Sequence, residues 1–194
     1  MTLTRRSALS HVVTATVVTL ATAWGMPAAA QERWPSKPVR LIVPFSAGGS
    51  TDVVGRMIGQ KLAALWRQPV LIENRGGAGG NLGADVVAKS SPDGYTLLLA
   101  SGSITINPQI YKRMAFDTQK DLMPITNVAS SPMLLVVPDR SPIKSMKELI
   151  AQAKATPGAV NFGSAGVGSQ VHLAAENFAD AAGININHVP YRGE

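Results

Sequence analysis

The chain has no cysteine. That absence removes a disulfide framework, a thiol nucleophile and a thiolate metal site together, and leaves packing as the source of stability. Aromatic residues make up 5% of the 194 and charged residues 15%. The positive side chains, among them Lys37, Arg40, Arg56, Lys61, Arg67, Arg75 and Lys89, stand apart with few aromatics between them, so no nucleic-acid partner is expected. Histidine is scarce at three. With no His-x-x-x-His pair and no cluster of carboxylates, neither a metal nor a cofactor is expected. Past residue 30, no apolar run is long enough to cross a bilayer.

What is present begins with an export pattern. Arg5 and Arg6 precede a mostly apolar stretch from Ala8 to Trp24, and Ala28, Ala29 and Ala30 lead into polar Gln31, Glu32 and Arg33. A charged start, an apolar middle and a small-residue cleavage site describe a secretory signal over residues 1–30, which places the protein in the periplasm. Thr14, Thr16, Thr19 and Thr22 interrupt the middle and make it short for a span; an uncleaved membrane anchor is the competing reading. Thr4, Arg5, Arg6 and Ser7 also fit the twin-arginine route, so both export routes stay open. Cleavage after Ala30 leaves sixteen Lys and Arg against twelve acids, a charge of about +4. A mild positive field suits an acidic small ligand.

Strands and helices alternate through the remainder. Val39 to Val43 is a short apolar run, and Asp52 to Trp66 carries Val53, Val54, Met57, Ile58, Leu62 and Leu65 at three-and-four spacing, an amphipathic helix that Pro69 ends. Val70 to Asn74 predicts a second strand, Arg75 to Gly83 a glycine loop, Ala84 to Lys89 a short helix. Pro92-Asp93-Gly94 is a turn. Tyr95 to Ala100 predicts a buried strand. Ser101 to Pro132 is broken by Pro108, Pro124 and Pro132 and carries the crossing between two lobes, residues 31–130 and 131–194. Met133 to Val137 predicts a strand, and Ser145 with Glu148 forms a capping box opening a helix that runs to about Ala155. Val160 to Phe162 predicts a strand, Gly163 to Gly168 a third glycine loop, Ser169 to Ala181 a helix stopped by Gly183, and Ile184 to Val189 a last strand. Apolar strands separated by helices predict an α/β fold with a parallel sheet covered on both faces.

The glycine loops carry the chemistry. PFSAGGSTD, Pro44 to Asp52, joins a strand to a helix, and such a junction points backbone amides at an anion. In open α/β sheets ligands lie beyond the carboxyl ends of the strands, where these loops sit. One helix start stabilises an anion by only about 0.3 to 1 kcal/mol, so two lobes contributing amides and hydroxyls are needed for roughly micromolar binding. Gly77, Gly79 and Gly83 approach a dinucleotide fingerprint but follow the second strand, and the next strand ends in Ala100-Ser101-Gly102-Ser103 without the acid that holds a ribose. Phe162-Gly163-Ser164-Ala165-Gly166 approaches a nucleophile elbow, yet Phe162 stands where glycine is required. His172 and His188 read as packing or hydrogen-bonding residues, so no catalytic residue is assigned.

Trp34-Pro35-Ser36-Lys37-Pro38-Val39-Arg40, Val43 through Asp52, Glu73-Asn74-Arg75-Gly76-Gly77-Ala78-Gly79-Gly80, Pro92 through Leu98, Phe162 through Ser169 and Val189-Pro190-Tyr191-Arg192-Gly193 occur in this order. Together they resemble the Bug-type receptors of tripartite tricarboxylate transporters, over essentially all of residues 34–193. The resemblance implies a type II periplasmic-binding-protein fold of two lobes closing on a carboxylated small molecule, which a membrane permease then receives. It implies no enzyme and no cofactor, and a monomer is expected. Carried over by position, Phe45, Ala47, Gly48, Gly49, Thr51 and Asp52 face the ligand from the first lobe, and Ser164, Ala165, Gly168 and Ser169 from the second, with Tyr191 at a distal group. Asp52 also suits the positive end of its helix, and Arg192 is either a distal contact or a surface charge. Receptors of this kind continue past the Tyr191-Arg192-Gly193 motif, so a chain truncated in its second lobe is expected. A sensor domain feeding a signalling pathway and an exported α/β enzyme are the alternatives.

Overall fold

The computed structural model describes residues 33–191 and residue 193; the expected signal peptide, residues 1–30, and Arg192 lie outside these. Pro38 and Pro44 bracket the apolar run that becomes strand β1, Val39–Val43, in which Val39, Ile42 and Val43 are fully buried. Helix α1, Ser50–Trp66, follows it, and strand β2, Val70–Asn74, returns parallel to β1, with Val39 opposite Val70 and Val43 opposite Asn74. Arg67 ends α1 in the left-handed conformation, two residues ahead of Pro69. A 3-10 turn, Ala78–Gly80, leads into helix α2, Asn81–Ala88, so this helix starts inside the expected glycine loop rather than at Ala84. Strand β3, Thr96–Leu98, pairs with the other side of β1 to complete a parallel sheet in the order β2-β1-β3.

α1 packs differently from its hydrophobic spacing. Val53, Met57 and Leu65 are half or more exposed, while Asp52, Gly55 and Gly59 form the buried side. The reason is close approach: a Cβ on Gly59 would lie 2.8 Å from Ile72 Cδ1 on β2. Only a helix face without side chains lets the backbone sit that near the sheet.

The Ser101–Pro132 stretch contains a helix that its prolines conceal. Helix α3, Ser103–Ile110, holds Pro108 within it. Pro108 sits in the last turn, where it removes the single bond that its amide would make to the Ile104 carbonyl.

The expected strand at Met133–Val137 does not form. Leu134 and Val136 are each 80% exposed, and no described strand pairs with them. An apolar run becomes a strand only where a neighbour takes up its ladder bonds.

Helix α4, Met146–Ala155, starts as predicted: Ser145 Oγ accepts the Glu148 N–H at 3.2 Å, while the Glu148 carboxylate takes the Lys144 N–H at 2.6 Å. Strand β4, Asn161–Ser164, runs two residues into the expected third loop, helix α5, Gln170–Ala182, follows, and strand β5, Asn187–Pro190, pairs parallel with β4. This second sheet has two described strands and little cover, and β2 and β3 are only half-buried, so the expectation of buried parallel strands, Tyr95 to Ala100 among them, is met at β1 alone among the described strands. Among the described residues, no helix is long and apolar enough to cross a membrane.

Candidate functional site

The loop after β1 is shaped by a buried carboxylate. Asp52 lies in the first turn of α1, 2% exposed, and its Oδ2 accepts the Gly48 N–H and the Arg56 Nε–H, both at 2.9 Å. Its Oδ1 accepts from Asn74 Nδ2 at 2.9 Å, and the same amide group donates to the Phe45 carbonyl at 3.1 Å. The Arg56 guanidinium, helped by the Gly48 and Asn74 bonds, holds the Asp52 carboxyl down at about 2. Asp52 and Gly48 therefore bond each other, and their part is to fix the loop's shape. Gly49 is the helix N-cap, Ala47 is exposed and Thr51 is half-buried. Among the described residues, nothing accepts from the Ala47 or Gly49 amides. Phe45 is 3% exposed, with its ring beneath Gly80, so it supports the loop from the core side.

The loop after β4 is likewise held from within. Ser164 Oγ, in a side chain 6% exposed, accepts the Gly166 N–H at 3.1 Å and lies 2.6 Å from His188 Nε2. Ser169, 2% exposed, caps α5 by accepting the His172 N–H at 3.3 Å. Ala165 is buried, and the Gly168 N–H donates to His172 Nδ1 at 3.4 Å. Tyr191 is 62% exposed, its ring edge against Gly163. A serine bonded to a histidine invites a nucleophilic reading, but this hydroxyl is buried and bound into its own loop, where it also donates to the Gly166 carbonyl at 3.2 Å.

These loops meet through a third one, the glycine loop after β2, which the sequence offered both as an approach to a dinucleotide fingerprint and as one of the strand-to-helix glycine loops. Gly79, with φ of +61°, lies so close to the second region that a Cβ there would sit 2.5 Å from the Val167 carbonyl oxygen. Tyr111 O–H, just after α3, donates to the same carbonyl at 2.7 Å. Asn107, fully buried, donates to the Gly79 carbonyl at 3.1 Å and to Asn81 Oδ1 at 2.9 Å, and it lies beneath Gly168. On the other side, Gly193 lies against the backbone of Ser46 in the first loop. The ends of β1, β2, β4 and β5 thus converge. Of the residues that make the junction, Gly79 was visible as a glycine in a strand-to-helix loop, whereas Asn107 and Tyr111 gave no signal of their own.

A groove of about 520 Å³ runs along the α3 face and the following segment, lined by Thr105, Tyr111, Lys112, Phe116, Asp117 and Thr118 among others. Among the described residues no group of three His, Asp or Glu side chains gathers as a metal site would.

The two parallel sheets with glycine loops at their carboxyl ends have counterparts among solved structures. A periplasmic transporter structure is 40% identical with a TM-score of 0.78, over 82% of this chain and 54% of that one. An R. palustris protein solved with adipate is 37% identical with a TM-score of 0.79, over 82% and 54%. MatC from Rhodopseudomonas palustris, solved with bound malate, is 30% identical with a TM-score of 0.74, over 82% and 55%. The fold is the α/β fold of periplasmic binding proteins. The family model for the tripartite tricarboxylate transporter family receptor matches residues 54–194. BugT of Bordetella pertussis is 42% identical over 164 residues, 84% of this chain and 50% of that protein. The chain belongs to the tripartite tricarboxylate transporter receptor family, a family of transport receptors and not of enzymes. It spans about half the length of these relatives.

Proposed function

We propose that the protein is an extracytoplasmic solute-binding receptor that captures a small organic carboxylate in the periplasm and delivers it to the permease of a tripartite tricarboxylate transporter. Residues 31–130 contribute to one lobe and residues 131–194 to the other. The observation that carries this reading is the convergence of the loops after β1, β2, β4 and β5, through the Gly79–Val167 and Ser46–Gly193 contacts, at the strand edge where α/β folds take their ligands. Relatives solved with adipate and with malate, both anions of dicarboxylic acids, give the ligand class its support.

In this reading the loop residues take two kinds of role. Amides of Ala47 and Gly49 at the start of α1, with the Thr51 hydroxyl, receive one carboxylate. Gly168 and Ser169 approach it from the start of α5, and Tyr191 reaches the distal end. Phe45, Gly48, Asp52, Ser164 and Ala165 hold the two loops in shape. Binding is electrostatic and reversible, as transport requires: several hydrogen bonds to a charged group at about 1.5 to 3 kcal/mol each, less the cost of ordering, amount to roughly micromolar affinity.

Thermal stabilisation of the protein against a panel of mono-, di- and tricarboxylates tests the reading. A dicarboxylate at a hundred times its dissociation constant should add about 2.7 kcal/mol of stability. Stabilisation by neutral sugars and by no carboxylate would overturn it.

A further inference from the structure

Behind the loop after β4 stands a pair of imidazoles that the proposed binding scheme does not use. His172, one turn into α5, and His188, in the middle of β5, face each other with ring centroids 4.1 Å apart and planes inclined by 37°. Phe162 of β4 stacks on His188 at 4.9 Å, closing one side. Each ring holds a different point of the loop. His188 Nε2 meets Ser164 Oγ at 2.6 Å, and His172 Nδ1 accepts the Gly168 N–H at 3.4 Å. Because Nδ1 is an acceptor, neutral His172 carries its proton on Nε2, which points at Glu176 Oε1, 3.6 Å away.

We propose that His172 is a proton switch on the Gly168 amide, so that the receptor takes up a proton together with its carboxylate ligand. The inference rests on the reading of this loop as ligand-binding. Protonating His172 fills Nδ1, and the ring can no longer accept from Gly168. The freed amide then points from the start of α5, where the helix dipole favours an anion, with an imidazolium directly behind it. A bound carboxylate in turn removes the Gly168 N–H from Nδ1 and attracts the proton to His172. Each event favours the other, as linkage requires.

The surroundings disfavour the proton on His188. Two imidazolium rings this close would repel strongly, so the pair holds one charge. His188 is held below its ordinary value, first by burial and then by the charge of His172, with Glu176 opposing. Glu176 lies on the His172 side, and the His172 side chain is 16% exposed while that of Glu176 is 51% exposed. The remaining titratable neighbours described are Tyr111, against Gly168 and bonded to Val167, and Tyr191, against Gly163. Burial raises Tyr111 above its ordinary value, which keeps it neutral where histidine titrates.

Two measurements test the proposal, the first without any ligand. In the ligand-free protein the Gly168 amide resonance should shift with pH as the ring of His172 takes up a proton, and the shift should vanish in His172→Gln, whose side-chain oxygen accepts the amide but does not titrate. A Gly168 amide indifferent to pH overturns the switch. The second measures adipate affinity by calorimetry at about pH 6 and pH 8 in buffers of different ionisation enthalpy. Binding should be roughly fivefold to tenfold tighter at the lower pH and accompanied by net proton uptake, with both effects lost in His172→Gln. His188→Gln, which keeps a bond to Ser164 but removes the competing ring charge, should move the midpoint upward. Adipate binding with the same affinity at both pH values overturns the coupling. If adipate binds at neither pH while the Gly168 amide still follows His172, the receptor reading for this ligand fails and the switch stands.

Discussion

The chain lays down strand, glycine loop and helix on both sides of the Ser101–Pro132 stretch, and the two regions turn out differently. In the first, β1 has a parallel neighbour on each edge, and Val39, Ile42 and Val43 lose all contact with water. In the second, β4 and β5 have only each other among the described residues, and Ser164 is the one residue of the pair that is buried. Leu149, Ala153, Ala165 and Ala179 are the buried apolar side chains there. Local sequence offers a strand, a paired neighbour decides whether it forms, and position in the sheet decides whether it becomes core.

The largest effect should come from breaking that contrast at its centre. Ile42→Ala leaves a cavity in the closed sheet and should cost about 2 to 5 kcal/mol, read by urea denaturation. The matching change Val189→Ala, on half-buried β5, should cost under about 1 kcal/mol because the site is already partly open to water. Equal losses would show that the two regions share one core.

Next comes the network beneath the first loop. Asp52→Asn keeps the shape and removes the charge that Gly48, Arg56 and Asn74 donate to, and it should cost about 1 to 3 kcal/mol at neutral pH. The carboxyl is held at about 2 in the folded protein, below its ordinary value near 3.9 in the unfolded chain. Its contribution is therefore complete above about pH 4 and lost as pH falls toward 2. Because Arg56 is 55% exposed, screening reduces that contribution to about 1 to 2 kcal/mol. The acid leg of the stability profile should flatten in Asp52→Asn, and an unchanged profile would remove Asp52 from the account of the loop.

The smallest effect falls at the junction. Tyr111→Phe removes the bond to the Val167 carbonyl and should cost about 0.5 to 1.5 kcal/mol. Hydrogen exchange should quicken at Val167 and Gly168 with little change at Ile42. A uniform change across both regions would mean that Tyr111 is not a local link.

Much of this was legible beforehand where the signal is local. β1 and β2 fall where Pro38, Pro44 and Pro69 bracket apolar runs, and the Ser145 cap opens α4 as its spacing predicts. The failures share a cause. Val53, Met57 and Leu65 have helical spacing yet face water, because α1 turned its glycines to the sheet. Met133–Val137 has the composition of a strand without a described partner, and α3 survives Pro108 because the proline falls in its last turn. At the candidate site the glycines, Asp52 and Ser169 were legible from strand-to-helix spacing. Asn74, Asn107, Tyr111 and the bond from His188 to Ser164 were not, since each joins residues more than twenty positions apart.

By itself the sequence determined the parallel α/β character, the glycine loops at strand ends and the family, because φ/ψ preferences, capping and hydrophobic runs act within a few residues. Only the tertiary structure decided which loop meets which: Gly79 beneath Val167, Gly193 against Ser46, and two tilted histidine rings side by side behind a serine. Those contacts depend on how closely backbones approach across the fold, which no local pattern encodes.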